Sequence, residues 1–390
     1  MPEGRRAAYA RATQPLRAGL GRFGRWHDGL PAVARGMIVA AIVVLAAAVP
    51  FILPHVTADT TYWTSVLTKA GIATLLALGL NVVVGFAGLL DLGYVAFFAV
   101  GAYSFAILSG AGRFNVALSN RNFSVHPPMW HMYMWLFFFL ALLIALVAGV
   151  ILGAPTLRLR GDYLAIVTLG FGEIVRITAN NLSGVTNGAL GINNIPHPEI
   201  NVGSIHYAFA LQNRAYYWLL LGVIVVWIFL LRRINDSRVG RAWAAIREDE
   251  LAAASMGVPT IRMKLLAFAM GAAVASFGGV IYATQVSFVS PDNFTLFNVD
   301  YGSVIILAMV VLGGMGGIAG PILGATLIIF LPERFRFLGD ARLLVFGAVL
   351  VIVMILRPQG VIPSRRRAAE LLGGELEETS VFEAREQGGG

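Results

Sequence analysis

Ten apolar stretches follow one another along this chain, and they restrict it more than any other feature. A spanning helix needs about 20 predominantly apolar residues, and in hydrocarbon only helices and closed barrels satisfy their own backbone hydrogen bonds. The stretches lie at 36–54, 64–84, 92–110, 132–154, 162–179, 215–231, 264–284, 302–316, 318–333 and 342–356. The fifth, eighth and ninth are short or carry polar residues, so re-entrant segments stay open there. The expected fold is an all-α polytopic membrane protein of about ten transmembrane helices. One long charged interruption, 237–264, should form a short helix pair outside the bilayer.

Composition agrees. Of the 390 residues, 57% are hydrophobic and 13% charged, whereas a soluble domain is about a quarter charged. A single bundle in lipid fits this better than two or three soluble domains. The net charge of +8 sits between apolar segments, which points to membrane topology and away from nucleic acid. There is no cysteine, which excludes disulfides and thiolate metal sites.

Arginines 5, 6, 11, 17, 22, 25 and 35 precede the first apolar run. That run is long enough to span, so it reads as a retained first helix and not as a cleaved signal. The domain reading follows: a basic cytoplasmic segment 1–35, a transmembrane domain 36–357 containing 237–264, and a charged, glycine-rich tail 358–390 expected to be disordered. Placing both termini in the cytoplasm puts Arg158, Arg160, Arg232, Arg233, Arg238, Arg241, Arg247, Arg262, Lys264 and Arg365 to Arg367 inside. Arg113, Arg121, Arg214, Arg334 and Arg336 go against that rule. The outer connection 180–214, rich in Asn and Gly, either folds over a pore mouth or meets a partner outside, or is an ordinary surface loop. Aromatics such as Trp63, Trp130, Trp135, Tyr216 and Trp218 cluster at span ends, as an interfacial belt does.

Glycines crowd GFAGLLDLGYVAFFAVGAY (85–103) and LGGMGGIAGPILGA (312–325). Each stretch sets a glycine-rich break before a small-residue helix, a pattern open to an internal repeat. Charges inside spans are costly, at least about 2.5–3.5 kcal/mol near the bilayer centre. Glu173 has Arg176 three residues on, so it either faces a translocation path or neighbouring subunit, or pins its helix structurally. Asp91 lies in the first glycine-rich break, where capping the next helix is favoured over solute contact. Lys69, near the outer end of its span, is expected to snorkel.

Catalytic signatures are missing. Nothing fits G-x-x-x-x-G-K-[ST], so any ATP hydrolysis belongs to another chain, and neither G-x-S-x-G nor H-E-x-x-H occurs. His126 and His131 flank Pro127 and Pro128, which spoils a helical ligand pair, and His197 and His206 read as loop residues. The expectation is a chain that is no enzyme and has no metal site and no cofactor of its own.

The stretch SRVGRAWAAIREDELAAASMGVPTIRMK (237–264) has its own logic. RAWAAIR suits a short helix, and Glu248, Asp249 and Glu250 place negative charge where the next helix begins. LAAASM continues it, Gly257 supplies a left-handed stop and Pro259 follows. Periodicity allows a docking element or an interfacial helix lying on lipid.

GRAWAAIREDELAAASMGVPTIRMKLLAF resembles the cytoplasmic signature of the LivM-type permeases, the branched-chain amino acid subunits of ABC importers. Three further stretches agree: LALGLNVVVGFAGLLDLGYVAFFAVGAY (76–103), LRLRGDYLAIVTLGFGEIVR (157–176) and VVLGGMGGIAGPILGA (310–325). The resemblance runs from about 60 to 362. ABC permeases carry a loop with Glu-Ala-Ala, three residues, then Gly. Here Leu251, Ala252, Ala253 and Gly257 match it, with Leu251 in the glutamate place and Glu250 one residue earlier.

The resemblance implies a coupling helix that fits an ATP-binding subunit, with Arg247, Glu248, Glu250, Ala252, Ala253 and Gly257 as its residues. It also implies a LivH-like second permease, two ABC ATP-binding subunits, a periplasmic amino-acid-binding protein, and a place in the bacterial cytoplasmic (inner) membrane. The function implied is import of leucine-, isoleucine- or valine-type amino acids by alternating access, driven by ATP hydrolysis on the separate subunits. The same architecture serving urea, short amides or other amino acids stays open, as does an ATP-independent carrier or channel.

Overall fold

The computed structural model describes residues 32–56, 59–109, 130–156, 161–202, 205–209 and 213–335, with 341, 344, 347, 348, 351, 352, 355 and 360–362. Several expectations lie outside the described residues: the arginines of 1–31, Arg113, Arg121 and His126, Arg158 and Arg160, Arg336, much of the span 342–356, and nearly all of the tail. The same holds for the side chains of His131 and His206.

The chain is mostly helical and divides into two compact units, Met1–Thr60 and Thr61–Gly390. The first contributes α1 (Ala32–Val56), which holds Pro50 and Pro54 and leaves Met37, Ile42, Val44, Leu45, Phe51 and Ile52 exposed.

The second unit begins with α2 (Thr60–Asn81), which runs into a π-helical turn, Val82–Phe86. After a non-helical break come α3 (Val95–Leu108), α4 (Trp130–Thr156) and α5 (Asp162–Asn181). A single turn, α6 (Ser183–Thr186), and three short strands follow: β1 (Ile192–Asn193), β2 (Glu199–Val202) and β3 (Ile205–Ala208). Then come α7 (Asn213–Asn235), the surface pair α8 (Arg238–Glu248) and α9 (Glu250–Ser255), and the long α10 (Thr260–Val286). The strand β4 (Phe288–Val289), α11 (Ser303–Gly313) and α12 (Ala319–Arg334) complete it.

Among the described residues, four helices are long and apolar enough to cross a membrane: α2 with its π turn, α4, α7 and α10. They fall into two kinds. The apolar windows of α2 and α10 are 83% and 72% buried within the chain, those of α4 and α7 only 28% each. α2 and α10 therefore form the core, and α4 and α7 its rim. α10 packs along α3 and α4 and also meets α7, α8 and the π turn. Small residues allow this. A Cβ on Gly101 of α3 would stand 2.5 Å from the Ser276 Cα, and one on Gly279 of α10 would stand 2.2 Å from the Phe98 carbonyl oxygen. The backbones touch where they cross, as small residues permit in membrane bundles.

The segment 180–214 departs from an all-helical reading. β1 pairs antiparallel with β4, and β2 with β3. A connection of this length must find partners for its amides and carbonyls, and short ladders supply them. Its His197 is half-buried between two helices' ends: Nδ1 meets the Tyr216 hydroxyl at 2.8 Å and Nε2 the Ser287 hydroxyl at 3.1 Å.

The two glycine-rich breaks meet. The buried Asn81 side chain donates to the Gly317 carbonyl at 2.8 Å and accepts from the Gly316 amide at 3.0 Å. The end of α2 and the turn between α11 and α12 are thereby joined.

Candidate coupling site

Local sequence explains why α8 and α9 form as two short helices set at a corner. The Ser237 hydroxyl caps α8 by accepting from the Val239 amide at 3.1 Å. Asp249 ends α8 in an extended conformation and caps α9, its Oδ1 accepting from the Leu251 and Ala252 amides at 2.8 and 3.0 Å. Such a cap contributes roughly 1 kcal/mol. α9 ends at Gly257, whose φ of 84° is left-handed; its amide and that of Val258 return to the Ala254 and Ala253 carbonyls. The left-handed stop expected at Gly257 is present, and Asp249, read from sequence as dipole charge, acts as an N-cap.

α8 buries Gly240, Trp243 and Ile246, one stripe at three-residue spacing. The Trp243 indole donates to the Met263 carbonyl at 2.7 Å and so fastens α8 to the first turn of α10. Arg247 reaches the other way. Its Nη1 donates to the Gly85 carbonyl at 2.7 Å, at the end of the π turn. Its aliphatic stem lies over Gly88, where a Cβ would come within 2.7 Å of the Arg247 Cγ. Glu250 accepts from the buried Lys264 ammonium at 2.5 Å, joining α9 to α10.

The six expected coupling residues therefore separate. Arg247, Glu250 and Ala253 turn inward and hold the pair to the bundle. Glu248, Ala252 and Gly257 face out. The outward face also carries apolar side chains: Leu251, which stands in the motif's glutamate place, at 63% exposure, and Met256 at 85% and Ile261 at 63%, which the motif does not include. Lys264, which sequence placed only among the cytoplasmic positive charges, is 3% exposed and a structural partner. The run of apolar residues three and four apart in RAWAAIR was the available signal for Trp243 and Ile246; nothing local signalled the Arg247–Gly85 bond, because its acceptor is a backbone carbonyl 162 positions away.

The three other candidates lie elsewhere. Asp91 does not cap α3: its Oδ1 accepts from the Gly93 amide at 2.9 Å, while the first amide of α3, from Val95, goes to the Ser303 hydroxyl. Asp91 is buried in the break between helices, and its Oδ2 has no hydrogen-bond partner among the described residues. It lines a small, mainly apolar cavity with Phe97, Leu152, Thr168, Phe171 and Phe268. Burial pushes its carboxyl up to about 7, against the opposing pull of the Gly93 amide and the Thr168 hydroxyl. Glu173 and Arg176 form the expected pair on α5, with Arg176 Nε donating to both carboxylate oxygens at 2.9 and 3.0 Å. Lys69 stands 3.6 Å from Asp300, both side chains partly exposed.

A family described as the branched-chain amino acid transport system permease component matches residues 62–356. The high-affinity branched-chain amino acid transport system permease protein LivM of Escherichia coli is 39% identical over 363 residues, covering 88% of this chain and 78% of that protein. The protein of the same description from Salmonella typhimurium is 38% identical over 364 residues, with the same coverage. A probable branched-chain amino acid transport permease protein LivM of Methanocaldococcus jannaschii is 24% identical over 247 residues, 58% of this chain and 68% of that protein. No solved structure matches the chain.

Proposed function

This chain belongs to the family of branched-chain amino acid transport permease components, and from that premise we propose that it is the membrane permease subunit of an ABC importer for leucine-, isoleucine- and valine-type amino acids. It is a multi-pass membrane protein. In this reading it has about ten spans, both termini in the cytoplasm, and a transmembrane domain over 36–357 flanked by a basic segment and a tail. It works with a LivH-like permease, two ATP-binding subunits and a periplasmic amino-acid-binding protein. The energy enters from those ATP-binding subunits, and this chain holds no cofactor of its own.

The observation that carries the coupling role is the division of the α8–α9 pair into two faces. One face bonds to two elements of the bundle, the π turn and α10, through Trp243, Arg247 and Glu250. The other presents Leu251, Ala252, Met256 and Gly257 outward. A helix so arranged passes a displacement applied to its outer face directly to α2 and α10. Occupancy of the transport states changes only if the ATP-binding subunit interacts differently with each of them.

The test is reconstitution of this chain with its neighbouring-gene partners in proteoliposomes. Leucine uptake that needs both internal ATP and the binding protein is expected. Uptake of urea or short amides in its place would replace the substrate assignment, and uptake without ATP would replace the ABC assignment.

A further inference from the structure

α5 has the length of a membrane span but not its surface. Its twenty residues cover about 30 Å, the thickness of the hydrocarbon layer. Yet it is absent from the described helices apolar enough to cross on composition alone. It buries Leu164, Ala165, Thr168 and Gly172, a stripe at four-residue spacing that packs on α3 and on the turn Pro291–Phe294. The opposite stripe, Ile166, Gly170, Glu173 and Ile177, points away from the bundle.

Glu173 is the twelfth residue of α5, about midway along it. Its ion pair with Arg176 is half-exposed, with side-chain exposures of 37% and 26%. The uncovered faces of the rim helices are of another kind. α4 exposes Leu136, Phe139, Leu143, Val147 and Ile151, and α7 exposes Trp218, Val226, Phe229 and Leu230. Lipid suits those faces. It does not suit a carboxylate and a guanidinium at mid-span, because even a paired charge in hydrocarbon costs several kcal/mol. Membrane proteins turn such groups toward protein or water.

We propose that the Ile166–Gly170–Glu173–Ile177 stripe of α5 is the seam at which this chain meets the second, non-identical permease subunit of its importer. The proposal rests on the ABC permease reading above. Gly170 sits in the middle of the stripe with open space over it, so a partner helix can approach closely there. The Glu173–Arg176 pair then lies in a protein interior, where a polar side chain of the partner can complete its hydrogen bonds.

Photo-crosslinking tests this in the assembled importer. Ile166 and Ile177 are replaced one at a time by p-benzoylphenylalanine, and Val147 and Ile151 of α4 serve as controls. Illumination is expected to join this chain to the second permease from both α5 positions, at least tenfold more than from α4. An adduct of twice this chain's 41.8 kDa would make the seam a homodimer contact and overturn the partner. Absence of any protein adduct from α5, in an importer that assembles and transports, would give α5 to lipid or to an aqueous path; the proposal would fall and the transport reading stand. Failure of a second permease to copurify at all would remove the reading beneath it as well.

Discussion

The Arg247 guanidinium donates to the Gly85 carbonyl at 2.7 Å, so a side chain of the surface pair closes the end of a buried membrane helix. The last carbonyls of any helix lack intrahelical donors. Here the missing donor comes from α8, the element proposed to receive the push of the ATP-binding subunit. If this bond holds in one transport state and not the other, its loss shifts the balance by the worth of a charge-assisted hydrogen bond, about 1.5–3 kcal/mol.

Arg247→Ala should therefore lower leucine uptake roughly tenfold to a hundredfold, while the ATP-binding subunit still copurifies. Uptake and copurification are the two measurements. Gly88→Ala should reproduce part of the defect, since the new methyl would sit 2.7 Å from the Arg247 Cγ.

Leu251→Asp and Met256→Glu are expected to act the opposite way. Neither side chain supports the fold, with exposures of 63% and 85%. Burial of one such side chain in an interface is worth about 1.5–3 kcal/mol. Melting temperature in detergent should stay unchanged while copurification of the ATP-binding subunit falls at least tenfold.

Glu250→Ala should destabilise the protein, because it leaves the buried Lys264 ammonium unpaired. Removal of one partner of a buried pair costs about 3–5 kcal/mol; the partial exposure of Glu250, 28%, lowers the expectation to about 2–3 kcal/mol. Lys264→Met in the same chain should restore most of the lost melting temperature, since the uncompensated charge goes with it.

Asp91 gives a pH dependence. Its carboxyl is raised by burial from 3.8 to about 7 in the folded chain. The folded state thus prefers the protonated form. The stability from this preference is full below about 4 and is lost as pH rises through about 7, a few kcal/mol in all. Asp91→Asn should flatten the fall in melting temperature between about pH 4 and pH 7, and an unchanged slope would assign that fall to other groups.

Apolar length alone located the helices. α2, α4, α7 and α10 lie within a few residues of the expected stretches, as do α11 and α12 on either side of their glycine turn. The Gly257 stop of α9 was also legible, and the Ser237 and Asp249 caps are equally local, although Asp249 was read only as dipole charge and Ser237 was not singled out. What sequence could not convey was direction. Arg247 and Glu248 are adjacent and alike in polarity, yet one turns inward to a distant carbonyl and the other faces out. The Glu173–Arg176 bond was visible as an i,i+3 pair, but its exposure depends on which side of α5 the bundle covers.

Asn81 removes a degree of freedom from the protein. Its carboxamide spends its donor on Gly317 and its acceptor on Gly316, 236 and 235 positions further along the chain. A carboxylate there would lose the donor and set like partial charges against the Gly317 carbonyl, so only an amide satisfies both contacts. The broken end of α2 cannot tilt alone. Either it carries the α11–α12 turn with it, or both bonds part in the same step. Two regions far apart in sequence are thus geared as one moving piece, with α8 holding the same piece through Gly85.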